Sequence, residues 1–179
     1  AGVVMALRLA GKAGKQAEIT LVDAKPHFVE RIRLHQLAAQ QDVPQRSYES
    51  MFKGKPIRFV QGWVSALDPV LNTVTVQKNG KQETLAYDYL AYGLGSTTDK
   101  GTVPGVAEYA YTVGEEKEAL RLRNRLTALE TTKGKVVVVG GGLTGIETAT
   151  ELADRYPQLQ ITLLTNTVIG TGLSRKGRA

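Results

Sequence analysis

Residues 136–147 have the sequence VVVVGGGLTGIE. Four successive valines favour a parallel strand that is buried on both faces. The glycines that follow have the spacing G-x-G-x-x-G, and the residues after them have the periodicity of a helix. Gly140 permits a tight turn, Gly142 lets the backbone approach a pyrophosphate, and Gly145 lets the helix pack close to the strand. This pattern predicts a dinucleotide-binding unit, and a glycine-rich turn that binds nothing is the alternative.

The N-terminus of the predicted helix contributes further candidate contacts. The backbone N–H groups of Leu143 and Thr144 would face the phosphates, which the positive end of the helix dipole attracts. Glu147 follows Gly145 by two residues, so we place it in the first turn of the helix. The dipole stabilises a carboxylate there whether or not a ligand binds.

The chain begins with a second copy of the same pattern. Residues 1–10 (AGVVMALRLA) align with residues 144–153 (TGIETATELA), and ITLVD at 19–23 aligns with ITLLT at 161–165. Gly2 then occupies the place of the third glycine. We therefore predict an α/β fold with two Rossmann-like dinucleotide-binding units, each built on a parallel sheet.

Asp23 is the candidate ribose ligand of the first unit. It lies about 20 residues after Gly2, where an acid at the end of the second strand accepts hydrogen bonds from ribose hydroxyls. An exposed aspartate in the turn before Lys25 is the alternative. A strand and two glycines should precede Gly2, and the second unit is unfinished at Ala179. We expect a portion of a longer protein, truncated at both ends and inactive on its own.

Composition limits the classes of function. The chain has no cysteine, which excludes disulfide bonds, a redox-active dithiol and thiolate metal sites, and its two histidines make a histidine metal site unexpected. No apolar stretch approaches the roughly 18–20 residues of a membrane span. The net charge of +6 suits anionic cofactors or an anionic membrane. Nucleic acid is disfavoured, because basic residues are scattered and aromatic residues make up only 6%.

Periodicity between the two units changes from helical to alternating. Short strands are expected between residues 57 and 86, with Asn79-Gly80 as a type I′ hairpin turn in an antiparallel meander. A further strand is expected at 87–92. The polar helix expected at 115–130 leads into the second unit, so we predict domains at 1–112 and 113–179.

These features resemble the flavoproteins with two dinucleotide-binding domains. More narrowly, they are similar to the branch of type II NADH dehydrogenases and apoptosis-inducing-factor-like oxidoreductases. Three segments carry the resemblance: the unit ending at Asp23, YDYLAYGLGS at 87–96, which resembles the family's YDYLVxAxGS, and residues 140–147. The absence of a Cys-x4-Cys pair argues against the disulfide reductase branch.

The resemblance implies FAD as the first cofactor. Gly2 would approach its pyrophosphate, Asp23 would bind the adenosine ribose, and Lys25 would flank that ribose. Trp63-Val64 would run beside the adenine, so that backbone groups at Val64 recognise it.

Closer to the flavin, the resemblance implies that Gly93 and Gly95 allow close approach of the backbone. Arg33 would contact a phosphate or the flavin, and a surface arginine on a charged helix is the equal alternative. Glu147 would position the nicotinamide and is the only catalytic candidate.

The second cofactor would be NADH or NADPH, bound at residues 140–145. Thr165 stands where Asp23 stands in the first unit, and an NAD site usually has an acid there. Its neutrality removes a charge that repels a 2′-phosphate, and Arg175 with Lys176 could bind that phosphate.

The implied activity is FAD-dependent NAD(P)H oxidation, with electrons passed to a quinone or another small-molecule acceptor. A redox-sensing protein that controls association of a partner is the alternative. A cytoplasmic location, peripheral membrane contact through parts beyond Ala179, and a homodimer are compatible with either. No metal is expected.

Overall fold

The computed structural model describes residues 1–170. The elements, in chain order, are α1 (Gly2–Ala13), β1 (Ile19–Asp23), β2 (His27–Phe28), α2 (Leu34–Ala38), β3 (Arg46–Ser47), α3 (Tyr48–Phe52), β4 (Ile57–Gln61), β5 (Trp63–Asp68), β6 (Thr73–Lys78), β7 (Lys81–Ala86), α4 (Val106–Tyr109), α5 (Glu116–Glu130), β8 (Lys135–Val139), α6 (Leu143–Arg155) and β9 (Gln160–Leu164). Short 3-10 turns occupy Gly14–Gln16 and Arg31–Arg33.

The chain forms two compact units. The first unit comprises Ala1–Val29 and Gln45–Ser96, and the second comprises Glu30–Pro44 and the chain from Thr97 onward. Residues 30–44 therefore interrupt the first unit in sequence and pack in the second. This division differs from domains at 1–112 and 113–179, and those functional boundaries stay a prediction.

The first unit has two parallel strands, and α1, which precedes both in sequence, packs on them. Strands β1 and β4 pair in parallel, with Ile19 opposite Ile57. Helix α1 buries Val3, Ala6 and Ala10, which share one helical face, against these strands and α3. The predicted parallel sheet of the first unit is confirmed.

An antiparallel meander of β5, β6 and β7 follows. Asn79 and Gly80 join β6 to β7 with φ of 50° and 75°, which agrees with the predicted type I′ turn. A Cβ at Gly62 would overlap Val76 Cγ1 and lie 2.9 Å from the Gln77 carbonyl oxygen, so glycine is required before β5.

The second unit is a βαβ arrangement, with β8 and β9 in parallel and α6 between them. Its core joins Leu126 of α5 to Leu152 of α6 and to Tyr156, which follows α6. Ala39, just after α2, is fully buried among them. The small side chain of Ala39 lets its backbone approach the two larger helices closely.

Two local predictions were wrong. Residues 87–92 are not a strand, because within residues 1–170 no neighbouring strand supplies hydrogen-bonding partners there. Strand β8 is not buried on both faces: Val137 and Val139 are 59% and 75% exposed, since the helices of the described chain cover only the opposite face.

A buried carboxylate ties the connector after the first unit to α5. Glu118 is 6% exposed, and its two carboxylate oxygens accept hydrogen bonds from Lys100 Nζ at 2.9 Å and Arg121 Nη1 at 2.8 Å. The guanidinium of Arg121 also lies 5.5 Å from the ring centre of Tyr111. The hydrogen bond from Lys100 and then that from Arg121 hold the pKa of Glu118 below its usual value.

We expect Glu118→Gln to lower the free energy of unfolding at pH 7 by about 1–2 kcal/mol, because two charge-assisted hydrogen bonds are weakened. A carboxyl group with a lowered folded-state pKa stabilises the protein above the unfolded-state pKa of about 4.3, and that contribution is lost as pH falls. Urea titrations at pH 7 and near pH 4 should therefore show a shrinking difference from wild type. The exposed Asp154→Asn is the control, and a gap that does not shrink would contradict the ion-pair assignment.

The turn between β8 and α6 generates a second expectation. A Cβ at Gly145 would overlap the Gly140 carbonyl oxygen and lie 2.9 Å from its carbon, whereas a Cβ at Gly142 would have nothing within 4 Å. Gly145→Ala should cost about 2 kcal/mol or more through overpacking, and Gly142→Ala about 0.5–1 kcal/mol, because alanine is a poorer N-cap than glycine. Urea denaturation of both variants measures this, and equal stabilities would show that the crossing is not constrained by Gly145.

Candidate functional site

The glycine turn of the second unit has the geometry that its spacing predicts. Gly140 has a φ of 124°, a value that favours glycine, and its N–H donates to the Leu164 carbonyl at 2.8 Å. Gly145 lies directly against Gly140, where any side chain would collide with backbone. The tight turn and the close helix–strand crossing are thereby confirmed, and binding of a dinucleotide stays a prediction.

The N-terminus of α6 is open toward the space beside this turn. Gly142 is the N-cap, and within residues 1–170 no side chain accepts a hydrogen bond from the first turn of the helix. Leu143 and Thr144 begin the helix with exposed side chains, so their amides lie at its positive end. Open space at Gly142 and uncapped N–H groups fit a pyrophosphate.

Thr165 follows β9 and lies beside the turn. A Cβ at Gly141 would overlap Thr165 Oγ1 and lie 2.7 Å from Thr165 Cβ, so Gly141 makes this contact possible. The hydroxyl of Thr165 accepts a hydrogen bond from the Thr167 N–H at 3.2 Å. Sequence analysis missed Gly141, since the motif treats its position as variable. Arg175 and Lys176 lie outside the described residues.

Glu147 is not in the first turn of its helix. Helix α6 begins at Leu143, so Glu147 is its fifth residue, occupies the second turn and gains little from the dipole. Its side chain is 53% exposed, and Oε2 lies 4.0 Å from Nδ1 of His35, which is buried in α2. No role for His35 was predicted from the sequence.

The side chain of Arg33 contacts neighbouring residues of its own segment. Its Nε donates to Gln36 Oε1 at 2.7 Å, and its guanidinium lies 3.7 Å from the carboxylate of Glu30. The side chain is one-third exposed. These contacts agree with a charged helical surface, and a phosphate or flavin contact by Arg33 stays a prediction.

In the first unit, Asp23 ends β1 and its carboxylate is held at both oxygens. Oδ1 accepts from the Lys25 N–H at 2.9 Å, and Oδ2 accepts from the Tyr48 hydroxyl at 2.8 Å. Burial, together with the hydrogen bond to Asp23 and its negative charge, raises the pKa of Tyr48. Sequence analysis missed Tyr48, because its contact with Asp23 depends on tertiary structure.

Two of the three glycines that were assigned to FAD in the first unit, Gly2 and Gly93, lie together. A Cβ at Gly93 would lie 3.4 Å from the Gly2 nitrogen and 3.5 Å from Gly2 Cα. Gly2 is the first residue of α1. Gly95, with a φ of 81°, follows in the same extended segment.

Val64 lies on β5, opposite Val76, and its side chain packs in a small apolar cluster. The neighbouring Trp63 is largely exposed. The register between β5 and β6 shifts between Val64 and Ala66, which disrupts regular pairing at this point. Contact of the Val64 backbone with adenine stays a prediction.

Over the described part of the chain, no group of three or more histidine, aspartate or glutamate side chains is arranged to hold a metal ion. In the same residues, every helix is too short or too polar to cross a membrane.

Comparison with known proteins agrees with these two units. A demethylphylloquinone reductase from Synechocystis is 30% identical over 165 residues, covering 86% of this chain and 41% of its own length. A type II NADH:quinone oxidoreductase from Haemophilus influenzae is 27% identical, with coverages of 84% and 42%. The chain thus spans about two-fifths of the length of these relatives.

Among solved structures, the sulfide:quinone oxidoreductase from Aquifex aeolicus has the same fold. It superposes with a TM-score of 0.76 at 23% identity, over 92% of this chain and 41% of that one. A sequence profile described as pyridine nucleotide-disulphide oxidoreductase matches residues 1–170. The chain belongs to the pyridine nucleotide-disulphide oxidoreductase family.

Proposed function

We propose that this chain is part of an FAD-dependent NAD(P)H oxidoreductase that passes electrons to a quinone or another small-molecule acceptor. The observation that carries the proposal is the N-terminus of α6, where Gly142 leaves open space and no side chain caps the helix within residues 1–170. This N-terminus lies at the strand–helix turn of a βαβ unit, where such folds bind the pyrophosphate of a dinucleotide. The names of the Synechocystis and Haemophilus relatives support a quinone as acceptor.

The first unit would hold FAD. Gly2 and Gly93, whose backbones lie close together, would face the pyrophosphate at the start of α1. Asp23 would bind the adenosine ribose with Lys25 beside it. Further contacts would come from Val64, near the adenine, and Gly95, near the flavin.

The second unit would hold NADH or NADPH. The turn at residues 140–145 would bind the pyrophosphate, and Thr165 would face the adenosine ribose, with Arg175 as a further contact. Glu147 would position the nicotinamide, and Arg33 would contact a phosphate or the flavin.

FAD supplies the redox chemistry in such a protein, as the acceptor of hydride from the nicotinamide. The residues of the chain bind and orient the cofactors. No side-chain nucleophile is required for this reaction. If the acceptor is a membrane quinone, the enzyme works at the membrane surface.

The first test uses the purified full-length protein. We expect it to be yellow and to lose its visible flavin absorbance when NADH or NADPH is added without oxygen. Gly142→Ala should retain FAD and most of its stability but raise the KM for NAD(P)H about tenfold, because a methyl group stands where the pyrophosphate approaches. Steady-state rates with a water-soluble quinone measure this. A colourless full-length protein that ignores both nucleotides would disprove the proposed function.

The second test concerns the choice of nucleotide. Since Thr165 carries no charge that repels a 2′-phosphate, we expect appreciable activity with NADPH. Thr165→Asp should lower kcat/KM for NADPH about tenfold or more relative to NADH, through repulsion of about 1–2 kcal/mol. Thr162→Asp places the same charge on the exposed face of β9 and should leave the ratio unchanged. If neither substitution changes the ratio of kcat/KM for NADPH to kcat/KM for NADH, Thr165 does not lie in the nucleotide site.

A further inference from the structure

The position of the Tyr48 hydroxyl is tightly constrained, although no sequence motif identifies this tyrosine. The side chain is 2% exposed, and its ring stacks on Phe52 at 5.7 Å and lies 4.7 Å from Phe59 between ring centres. These contacts fix the ring on both sides, so the oxygen has little freedom to move away from Asp23.

The backbone around Tyr48 is fixed as well. Its N–H donates to the Pro26 carbonyl at 3.1 Å, and the preceding Ser47 caps α3 by accepting from the Ser50 N–H at 3.1 Å. Ser47 also pairs with His27 across β2 and β3. The excursion between β1 and β4 therefore returns the chain so that α3 faces the end of β1.

The Asp23 carboxylate is consequently held by one donor on each oxygen. The phenol donates to Oδ2 at 2.8 Å and the Lys25 N–H donates to Oδ1 at 2.9 Å, which fixes the rotation of the carboxylate. Burial and the charge of Asp23 raise the pKa of Tyr48, so the phenol stays protonated and remains a donor. A carboxylate has about four lone-pair sites, so each oxygen keeps one for another donor.

We propose that Tyr48 is a positioning residue for the adenosine ribose: it holds Asp23 so that the two free lone pairs accept from the 2′- and 3′-hydroxyls together. This inference rests on the proposed binding of FAD by the first unit. The ribose presents two adjacent hydroxyl donors, and a carboxylate with fixed rotation can receive both without first losing rotational freedom. Tyr48 would not touch the ribose itself.

The test compares FAD with FAD analogues that lack the 2′- or the 3′-hydroxyl of the adenosine, bound to the full-length apoprotein. Wild type should bind each deoxy analogue about tenfold more weakly than FAD. Tyr48→Phe keeps the ring and removes the donor. We expect it to weaken FAD binding about fivefold and to reduce the discrimination against the deoxy analogues to less than about threefold.

Two controls separate positioning from general support of the fold. Phe52→Leu disturbs the same aromatic cluster without touching the hydroxyl, so it should lower stability and keep the discrimination. In an Asp23→Asn background, Tyr48→Phe should have no further effect on FAD affinity, because Tyr48 acts through the carboxylate.

The outcomes are distinct. If Tyr48→Phe loses stability but still discriminates as wild type does, or if its effect persists in the Asp23→Asn background, Tyr48 has only a structural role and the inference is wrong. Wild type that binds FAD but ignores the loss of either hydroxyl would overturn the inference and leave the proposed function standing. Full-length wild type that binds no FAD would overturn both.

Discussion

The contact between Gly145 and the Gly140 carbonyl constrains the second unit more than any other. Because even a methyl group at Gly145 would overlap that carbonyl, α6 can cross the end of β8 only with glycine at this point. The crossing places the N-terminus of α6 beside Thr165. Gly141 allows a similarly close contact, because a Cβ at Gly141 would overlap Thr165 Oγ1. The direction of the N–H groups at the start of α6 is thus set by an excluded volume. The pyrophosphate proposed to bind there would be attracted by the positive end of the helix dipole.

In the first unit, hydrogen bonds fix the orientation of the proposed binding group, the carboxylate of Asp23. Asp23 ends β1 in a position that the strand alone determines, but the plane of its carboxylate depends on Tyr48 and the Lys25 amide. A ligand that arrives there meets acceptors already oriented. In both units the proposed binding groups are therefore oriented before any ligand binds. In the second unit the orientation comes from glycines that lack side chains, and in the first unit it comes from the two hydrogen bonds to Asp23.

The features predicted from sequence were those set by local chemistry. Glycine spacing identified the turn at Gly140, and Asn79-Gly80 identified the hairpin, because each depends on backbone angles that few residues adopt. Tyr48 and His35 escaped prediction since their partners are distant in sequence. The prediction of a strand at 87–92 was wrong for a related reason. A strand forms only where a neighbouring strand pairs with it, and the composition of the segment does not show whether such a neighbour exists.

The packing of residues 30–44 has a consequence for biosynthesis. Ala38 and Ala39 have no exposed surface in the folded chain, and the core around Ala39 is closed by Leu126 and Leu152. The ribosome synthesises α2 long before Leu126 and Leu152. Ala38 and Ala39 therefore stay exposed to solvent while the rest of the first unit is synthesised. The second unit can therefore complete its core only after Leu152 has been synthesised, long after its first segment. Chaperone protection during elongation would matter most in that interval.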